Sequence, residues 1–133
     1  MSIKILKFSR NEFDNQVATN ILTLLNQQKN TVVALPTGNT PLCLYQYLIK
    51  KPINWQKTKI FMLDTLYPQD LYDPLSFYSY IKINLLLHIN LPPGNFHILN
   101  SNTKNVLEEC HKYEEEIIKA GGIDLAVLGL GVN

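Results

Sequence analysis

Short apolar segments alternate with helix-like segments along the chain, and this alternation is what most constrains the fold. Thr31–Leu35 and Lys59–Leu63 are short, largely apolar runs of the kind found in strands buried on both faces. Ile123–Leu128 is almost wholly apolar, and we expect it to be the most buried strand. Strands that alternate with helices through short loops predict an α/β fold. The expected form is a Rossmann-like three-layer fold, in which helices cover both faces of a mostly parallel sheet.

Two weaker strands and four helices complete the predicted elements. Ile3–Phe8 alternates apolar and polar residues, as a half-buried strand does, and Asn95–Leu99 is a second short strand. The helices are bounded by capping residues, prolines and glycines. They are predicted to run from the capping box Ser9–Glu12 to about Asn26, from Thr40-Pro41 to Lys51-Pro52, from Asp73-Pro74 through Leu86, and from about Thr103 to Ala120 before Gly121-Gly122.

Length and charge exclude several classes of protein. The 133 residues predict a single domain over residues 1–133. A net charge of +1 argues against a basic nucleic-acid surface, and no apolar run is long enough to span a membrane. The N-terminus shows no export signal. Cys43 and Cys110 lie far apart and are predicted to be free thiols in a reducing cytoplasm.

The loop Pro36–Pro41 is the first candidate site, because ligands of parallel sheets bind outside the carboxyl ends of the strands. Gly38 permits a sharp turn and a close approach of the backbone to a ligand. The helix predicted to begin at Thr40 presents free N–H groups that favour an anion such as phosphate. A plain strand-to-helix turn with a good cap is the alternative. The candidate residues are Thr37, Gly38, Asn39 and Thr40.

Asp64 and the glycines near the end of the chain are the other candidates. Asp64 follows the second apolar strand, where a partly desolvated carboxylate would act as a proton-abstracting base; capping of the next turn is the alternative. Gly129-Leu130-Gly131 allows close backbone approach, although two glycines alone are a weak motif. The three histidines lack metal-ligand spacing with each other or with cysteines and carboxylates, so no metal site is predicted.

Three segments of the sequence carry the candidate residues: VVALPTGNTPLCLYQYL, KIFMLD with the tyrosine-bearing loop and helix start DPLSFYSYI, and GGIDLAVLGLGVN. All three resemble segments of the glucosamine-6-phosphate deaminase/isomerase family. They occur in the order and at the approximate spacing of the family and cover nearly the whole chain. The resemblance extends to galactosamine-6-phosphate isomerases and, within the wider superfamily, to 6-phosphogluconolactonases and ribose-5-phosphate isomerases.

The resemblance implies conversion of an amino-sugar 6-phosphate to fructose 6-phosphate, or its epimer, with release of ammonia in N-acetylglucosamine catabolism. The implied steps are ring opening, proton transfer through an enolamine and loss of ammonia. No metal or organic cofactor is implied, since the carbonyl or imine carbon of the sugar itself acidifies the C–H bond. A small-molecule sugar phosphate is the implied partner, and a homo-oligomer is compatible with the full-length form.

The resemblance also assigns roles to individual residues. The loop residues Gly38, Asn39 and Thr40 correspond to those that hold the phosphate end of the sugar, with Thr37 beside them. Asp64 corresponds to the base that moves the C2 proton, and Asn133 to an Asp or Asn that assists ring opening. The glycines of the last loop, Gly129 and Gly131, are included in the substrate-binding set.

Two departures from the family pattern keep alternatives open. Thr65 and Leu66 follow Asp64, where the deaminases usually have Glu and an aromatic residue, so the identity of the substrate is open. The family continues after Asn133 with G-H-I-A-F-N-E-P, which supplies a ring-opening histidine and its glutamate partner. We therefore expect an N-terminal portion of the fold that is truncated on the C-terminal side and inactive alone. Such a chain is expected to be marginally stable, aggregation-prone or dependent on a partner. A 6-phosphogluconolactonase-like or other sugar-phosphate enzyme, or a noncatalytic fragment, are the alternatives.

Overall fold

The structure is a computed structural model that describes residues 4–27 and 30–129. In this part of the chain, four strands form one parallel sheet in the order β3-β2-β1-β4. The strands are β1 (Thr31–Leu35), β2 (Thr58–Met62), β3 (Phe96–His97) and β4 (Leu125–Ala126). The α/β fold with a parallel sheet, predicted from the alternation of segments, is confirmed.

Four helices connect or precede these strands. They are α1 (Phe13–Gln27), α2 (Leu42–Leu48), α3 (Phe77–Asn84) and α4 (Val106–Ala120). The Asn105 side chain caps α4 by accepting the Glu108 N–H at 3.2 Å, and Gly121 ends the helix in the left-handed conformation at φ 100°. None of the helices described in the structure is long and apolar enough to cross a membrane.

Alternate residues of the two longer strands point to opposite faces of the sheet, which produces three layers. Val33 of β1 and Ile60 of β2 pack against α1, α2 and α3 in the larger core cluster. Val32 and Phe61 face the other side, where Tyr113 of α4 packs against them. The sheet therefore has three helices on one face and α4 on the other.

The region around Ile3–Phe8 differs from the prediction, because residues 4–8 form no strand. Ile5 is 77% exposed and Leu6 is 47% exposed. The alternating pattern is present, but a strand also needs a neighbour whose backbone groups are unpaired along the same length. No described strand offers this segment such a partner, and Leu6 and Phe8 instead line one wall of a groove beside α1.

The last predicted strand is also shorter and more exposed than expected. Only Leu125–Ala126 of the segment Ile123–Leu128 forms β4, which lies at one edge of the sheet. Ile123 is 42% exposed and Leu128 is 69% exposed. The expectation of the most buried strand is therefore wrong for this structure, because β4 has a neighbour on one side only and α4 does not cover it.

Gly121 offers a test of the α4 terminus with a matched control. A Cβ at Gly121 or at Gly94 meets no atom within 4 Å, but only Gly121 has a positive φ. Gly121→Ala is expected to lower the free energy of unfolding by about 1–2 kcal/mol, the usual penalty for a left-handed alanine. Gly94→Ala is expected to change it by less than about 1 kcal/mol. Urea denaturation measures both, and equal effects would contradict the role of Gly121.

Two buried tyrosines predict a loss of stability at alkaline pH. Burial raises the pKa of Tyr45 and of Tyr113 above the ordinary value of about 10. The folded protein holds these protons more tightly than the unfolded chain, so the stabilisation is present below pH 10 and declines as the pH rises above it. Each group contributes up to about 1.4 kcal/mol per pH unit there.

The variant Tyr113→Phe separates this contribution from those of other groups. It removes the hydroxyl that donates to Met62 O at 2.8 Å, so its stability at neutral pH is also expected to fall. The informative quantity is the slope of unfolding free energy against pH above pH 10. A shallower slope in the variant is expected, and an unchanged slope would contradict the prediction.

Candidate functional site

Three chain segments leave the sheet at the same edge, and the strand register places them side by side. Leu35 pairs with Met62, and the Leu63 N–H donates to Leu35 O at 3.2 Å. On the other side of β1, the Val127 N–H donates to Ala34 O at 3.0 Å. Adjacent strands lie about 4.8 Å apart, so the loops that follow β2, β1 and β4 begin within about 10 Å of each other. This is the edge where the sequence predicted a site.

The loop after β1 turns sharply at Gly38, whose φ is 102°. This conformation favours glycine, because a side chain is strained there whatever space is available. Gly38, Asn39 and Thr40 are exposed, while Thr37 is partly buried. The predicted cap at Thr40 is wrong: α2 begins at Leu42, and Pro41 takes the N-cap position without a side-chain cap bond. The Thr40 hydroxyl is therefore not used to cap this helix.

Two tyrosines on helices donate hydrogen bonds to the loop that follows β1. Tyr45 of α2 is fully buried, and its hydroxyl donates to the carbonyl of Pro36. Tyr80 of α3 donates its hydroxyl to the carbonyl of Gly38. In the sequence, both tyrosines lie at helical spacing from apolar residues, a pattern that indicates packing. It carries no signal for these bonds, because Tyr80 and Gly38 lie 42 positions apart along the chain.

Asp64 lies just beyond β2 with an exposed side chain, so the expected partial desolvation is absent from the described structure. The predicted alternative, a cap for the following turn, is not observed either. Asp70 caps that region by accepting the Tyr72 N–H at 2.7 Å. Asp73 likewise accepts the Leu75 N–H at 2.7 Å. The Asp64 carboxylate makes no hydrogen bond and no ion pair with any described residue.

The loop after Asp64 is tied to the connection between β3 and α4. The Gln69 N–H donates to Ser101 O at 3.0 Å, and the Ser101 hydroxyl donates to Gln69 O at 2.8 Å. The Tyr67 hydroxyl donates to Thr103 O at 3.1 Å, beside a cis peptide bond between Tyr67 and Pro68. These hydrogen bonds fix the position of the segment between Asp64 and α3 relative to the connection between β3 and α4.

A groove of about 680 Å³ opens between the loop after β1, the end of β4, α1 and residues 4–8. Thr37, Thr40 and Gly129 line it together, whereas Gly38, Asn39 and Asp64 are not among its lining residues. Its walls are mainly apolar, with Lys4 and Asp14 as the charged side chains. The candidates Gly131 and Asn133 lie outside the described residues. Within the described ranges, no group of three or more His, Cys, Asp or Glu residues is placed to hold a metal ion.

The amino-acid sequence matches a known family over most of its length. A sequence profile described as glucosamine-6-phosphate isomerases/6-phosphogluconolactonase matches residues 9–133. A glucosamine-6-phosphate deaminase of Clostridium novyi (strain NT) is 38% identical over 136 residues, which cover 98% of this chain and 56% of that relative. A glucosamine-6-phosphate deaminase of Thermoanaerobacter sp. (strain X514) is 37% identical, with 97% and 53% covered. The chain thus spans about half the length of the curated relatives it matches.

Solved structures give the same result. A monomeric glucosamine-6-phosphate deaminase superposes with a TM-score of 0.90 at 27% identity, over 97% of this chain and 56% of the other. A 6-phosphogluconolactonase from Thermotoga maritima superposes with a TM-score of 0.78 at 28% identity, over 91% and 55%. The profile, the relatives and the sheet that carries the three motif-bearing segments agree. The chain therefore belongs to the family of glucosamine-6-phosphate isomerases and 6-phosphogluconolactonases.

Proposed function

We propose that this protein acts in the conversion of an amino-sugar 6-phosphate to a ketose 6-phosphate and ammonia. Glucosamine 6-phosphate, giving fructose 6-phosphate, is the first candidate substrate, and the galactosamine equivalent is the second. Relatives that are 37–38% identical carry the name glucosamine-6-phosphate deaminase. We place the reaction in N-acetylglucosamine catabolism in the cytoplasm. The free, exposed thiols of Cys43 and Cys110 suit that reducing compartment.

One observation carries the proposal: an unpaired carboxylate and a glycine loop leave adjacent strands at one edge of the sheet. Asp64 follows β2, and Gly38 follows β1, with Leu35 and Met62 paired in the ladder between them. A sugar phosphate held by its phosphate at the loop would place its C1 and C2 atoms away from that loop. The neighbouring carboxylate is then on the side where proton transfer is needed.

In the proposed reaction, Asp64 removes the proton from C2 of the open-chain amino sugar. The C2 electron pair forms the C1=C2 double bond, and the C1 carbonyl oxygen takes up a proton, which gives the enolamine. Return of a proton to C1 gives the ketimine at C2. Addition of water and loss of ammonia then leave the C2 ketone. The carbonyl and imine groups of the substrate make the C–H bond acidic, so the side chains need only move protons. Asn133 is proposed to assist the preceding ring opening.

The phosphate end is assigned to the loop of Thr37, Gly38, Asn39 and Thr40. Backbone N–H groups in such turns form concave sites for anions, and the hydroxyls of the two threonines add donors. Thr37 and Thr40 line the groove beside the sheet edge, and the Thr40 hydroxyl does not cap α2. Gly129 and Gly131, at the end of the third segment, are proposed to let the backbone approach the substrate closely.

A 6-phosphogluconolactonase-like reaction is the second candidate. Thr65 and Leu66 follow Asp64, where the resemblance to deaminases leads us to expect Glu and an aromatic residue. The likeness to the Thermotoga maritima lactonase structure is consistent with this reading. In that reaction no C2 proton moves and no ammonia is released, so the product separates the two candidates.

Asp64→Asn is the central test of the proposal. It keeps the size of the side chain and removes the base, so ammonia release from glucosamine 6-phosphate is expected to fall about 10²–10⁴-fold. The matched control is Asp70→Asn in the same loop, where the amide oxygen still accepts the Tyr72 N–H. The rate of ammonia release is measured with the 133-residue chain and with the complete product of its gene.

Each outcome of this assay bears on one reading of the protein. Full ammonia release by Asp64→Asn would refute the role of the carboxylate. Hydrolysis of 6-phosphogluconolactone without release of ammonia from either amino-sugar phosphate would favour the second candidate. Activity in the complete gene product alone is expected if the 133 residues need further chain for catalysis. Absence of either activity in both preparations would support a noncatalytic protein.

A further inference from the structure

The hydroxyls of Tyr45 and Tyr80 hold two carbonyl groups of the loop after β1. Tyr45 donates to Pro36 O, and Tyr80 donates to Gly38 O. The two rings contact each other edge to face, with 6.4 Å between centroids and an interplanar angle of 65°. Tyr45 lies on α2 and Tyr80 lies on α3. The loop is therefore hydrogen-bonded to two helices that are far apart in the sequence.

These bonds also determine where the loop N–H groups point. A trans peptide unit is planar, with its C=O and N–H directed to opposite sides. When Tyr45 holds Pro36 O, the Thr37 N–H of the same peptide unit points away from Tyr45. When Tyr80 holds Gly38 O, the Asn39 N–H points away from Tyr80. Within the described ranges, neither N–H donates to a backbone carbonyl, so both remain available to a ligand.

Burial extends to higher pH the range in which both hydroxyls keep the proton that they donate. It raises the pKa of Tyr45 and of Tyr80 above the ordinary value for tyrosine. Tyr45 is fully buried, where a hydroxyl without a partner is costly, and the Pro36 carbonyl supplies that partner. The two donors therefore persist through the neutral pH range.

Tyr80 also connects the two parts of the proposed site. The segment that begins at Asp64 runs through the anchored loop to α3, whose N-cap Ser76 accepts the Ser79 N–H at 3.0 Å. One helical turn after Ser76, Tyr80 donates its hydroxyl to the carbonyl of Gly38. A change in the position of α3 is therefore transmitted to the loop proposed to hold the phosphate.

We propose that Tyr45 and Tyr80 are positioning residues of the sugar-phosphate site, which orient the Thr37 and Asn39 N–H groups toward the phosphate by holding the carbonyls of Pro36 and Gly38. This inference rests on the proposed function, because it concerns the loop assigned to the phosphate. Neither tyrosine is a catalytic residue, since each acts through the backbone that it holds.

Tyr80→Phe is the decisive variant, because it removes one O–H group and keeps the ring that packs on Tyr45. The first measurement is the ¹⁵N order parameter of the Gly38 and Asn39 amides without ligand. An order parameter of about 0.85 is expected in the original protein, and a decrease to about 0.6 is expected in the variant. The matched control is Tyr78→Phe on the same helix, where the ring packs on Tyr72 and Phe96.

The second measurement is affinity for glucosamine 6-phosphate and for glucosamine, by calorimetry. Tyr80→Phe is expected to weaken the first about fivefold, the factor that one neutral hydrogen bond contributes, and to leave the second unchanged. A purely structural role would change the melting temperature without this preference for the phosphorylated ligand. Tyr45→Phe is expected to weaken binding of glucosamine 6-phosphate by a similar factor. If Tyr45→Phe does not fold, because Tyr45 is fully buried, the result for Tyr80→Phe alone tests the inference.

Failure of this inference differs from failure of the proposed function. Unchanged order parameters in Tyr80→Phe, or a loosened loop with unchanged affinity for glucosamine 6-phosphate, would overturn the positioning role. If glucosamine 6-phosphate binds neither the 133-residue chain nor the complete product of its gene, the proposed function fails, and the role in phosphate positioning fails with it. A looser loop together with weaker binding of the phosphorylated sugar alone supports the inference.

Discussion

The pairing of β1 with strands on both of its sides is the interaction on which the rest of the structure depends. All five residues of Thr31–Leu35 are buried, and the strand pairs in parallel with β2 and with β4. The Asp124 carboxylate extends the second pairing by accepting the Val32 N–H at 2.8 Å. Because parallel strands end at a common edge, this ladder alone brings the Gly38 loop, Asp64 and the segment after β4 to one place.

The helices then determine the orientation of the loops that the sheet brings to this edge. The larger core cluster packs α1, α2 and α3 on one face, and two tyrosines from that layer reach the carbonyls of the loop after β1. The other face carries α4, whose Tyr113 hydroxyl donates to Met62 O at 2.8 Å and to His97 O at 3.2 Å. Tyrosine hydroxyls from both layers thus bind backbone carbonyls at the ends of β2 and β3 and in the loop after β1, which couples helix packing to loop position.

Local sequence patterns predicted the elements for which the fold supplies the expected partners. The run Thr31–Leu35 forms β1 with the predicted bounds, and α4 ends at Ala120 before Gly121, as predicted. The patterns were misleading where the described structure supplies no such partner. Ile3–Phe8 alternates like a strand, but its described residues 4–8 form none, and Ile123–Leu128 contributes two residues to an edge strand. An apolar pattern states which residues favour burial, but not whether another segment is present to bury them.

The sequence by itself determined the fold class, the family and the positions of the candidate residues, because strand and helix periodicities and the three motif segments are local in the chain. The roles of Asp64 and of the loop Thr37–Thr40 remain proposals that the tertiary arrangement supports. Only the tertiary structure decided that Pro41 rather than Thr40 precedes α2, that Asp64 is exposed and unpaired, and that Tyr45 and Tyr80 hold the loop. These features depend on contacts between segments distant in sequence, and such contacts form only when the packed sheet and helices bring those segments together.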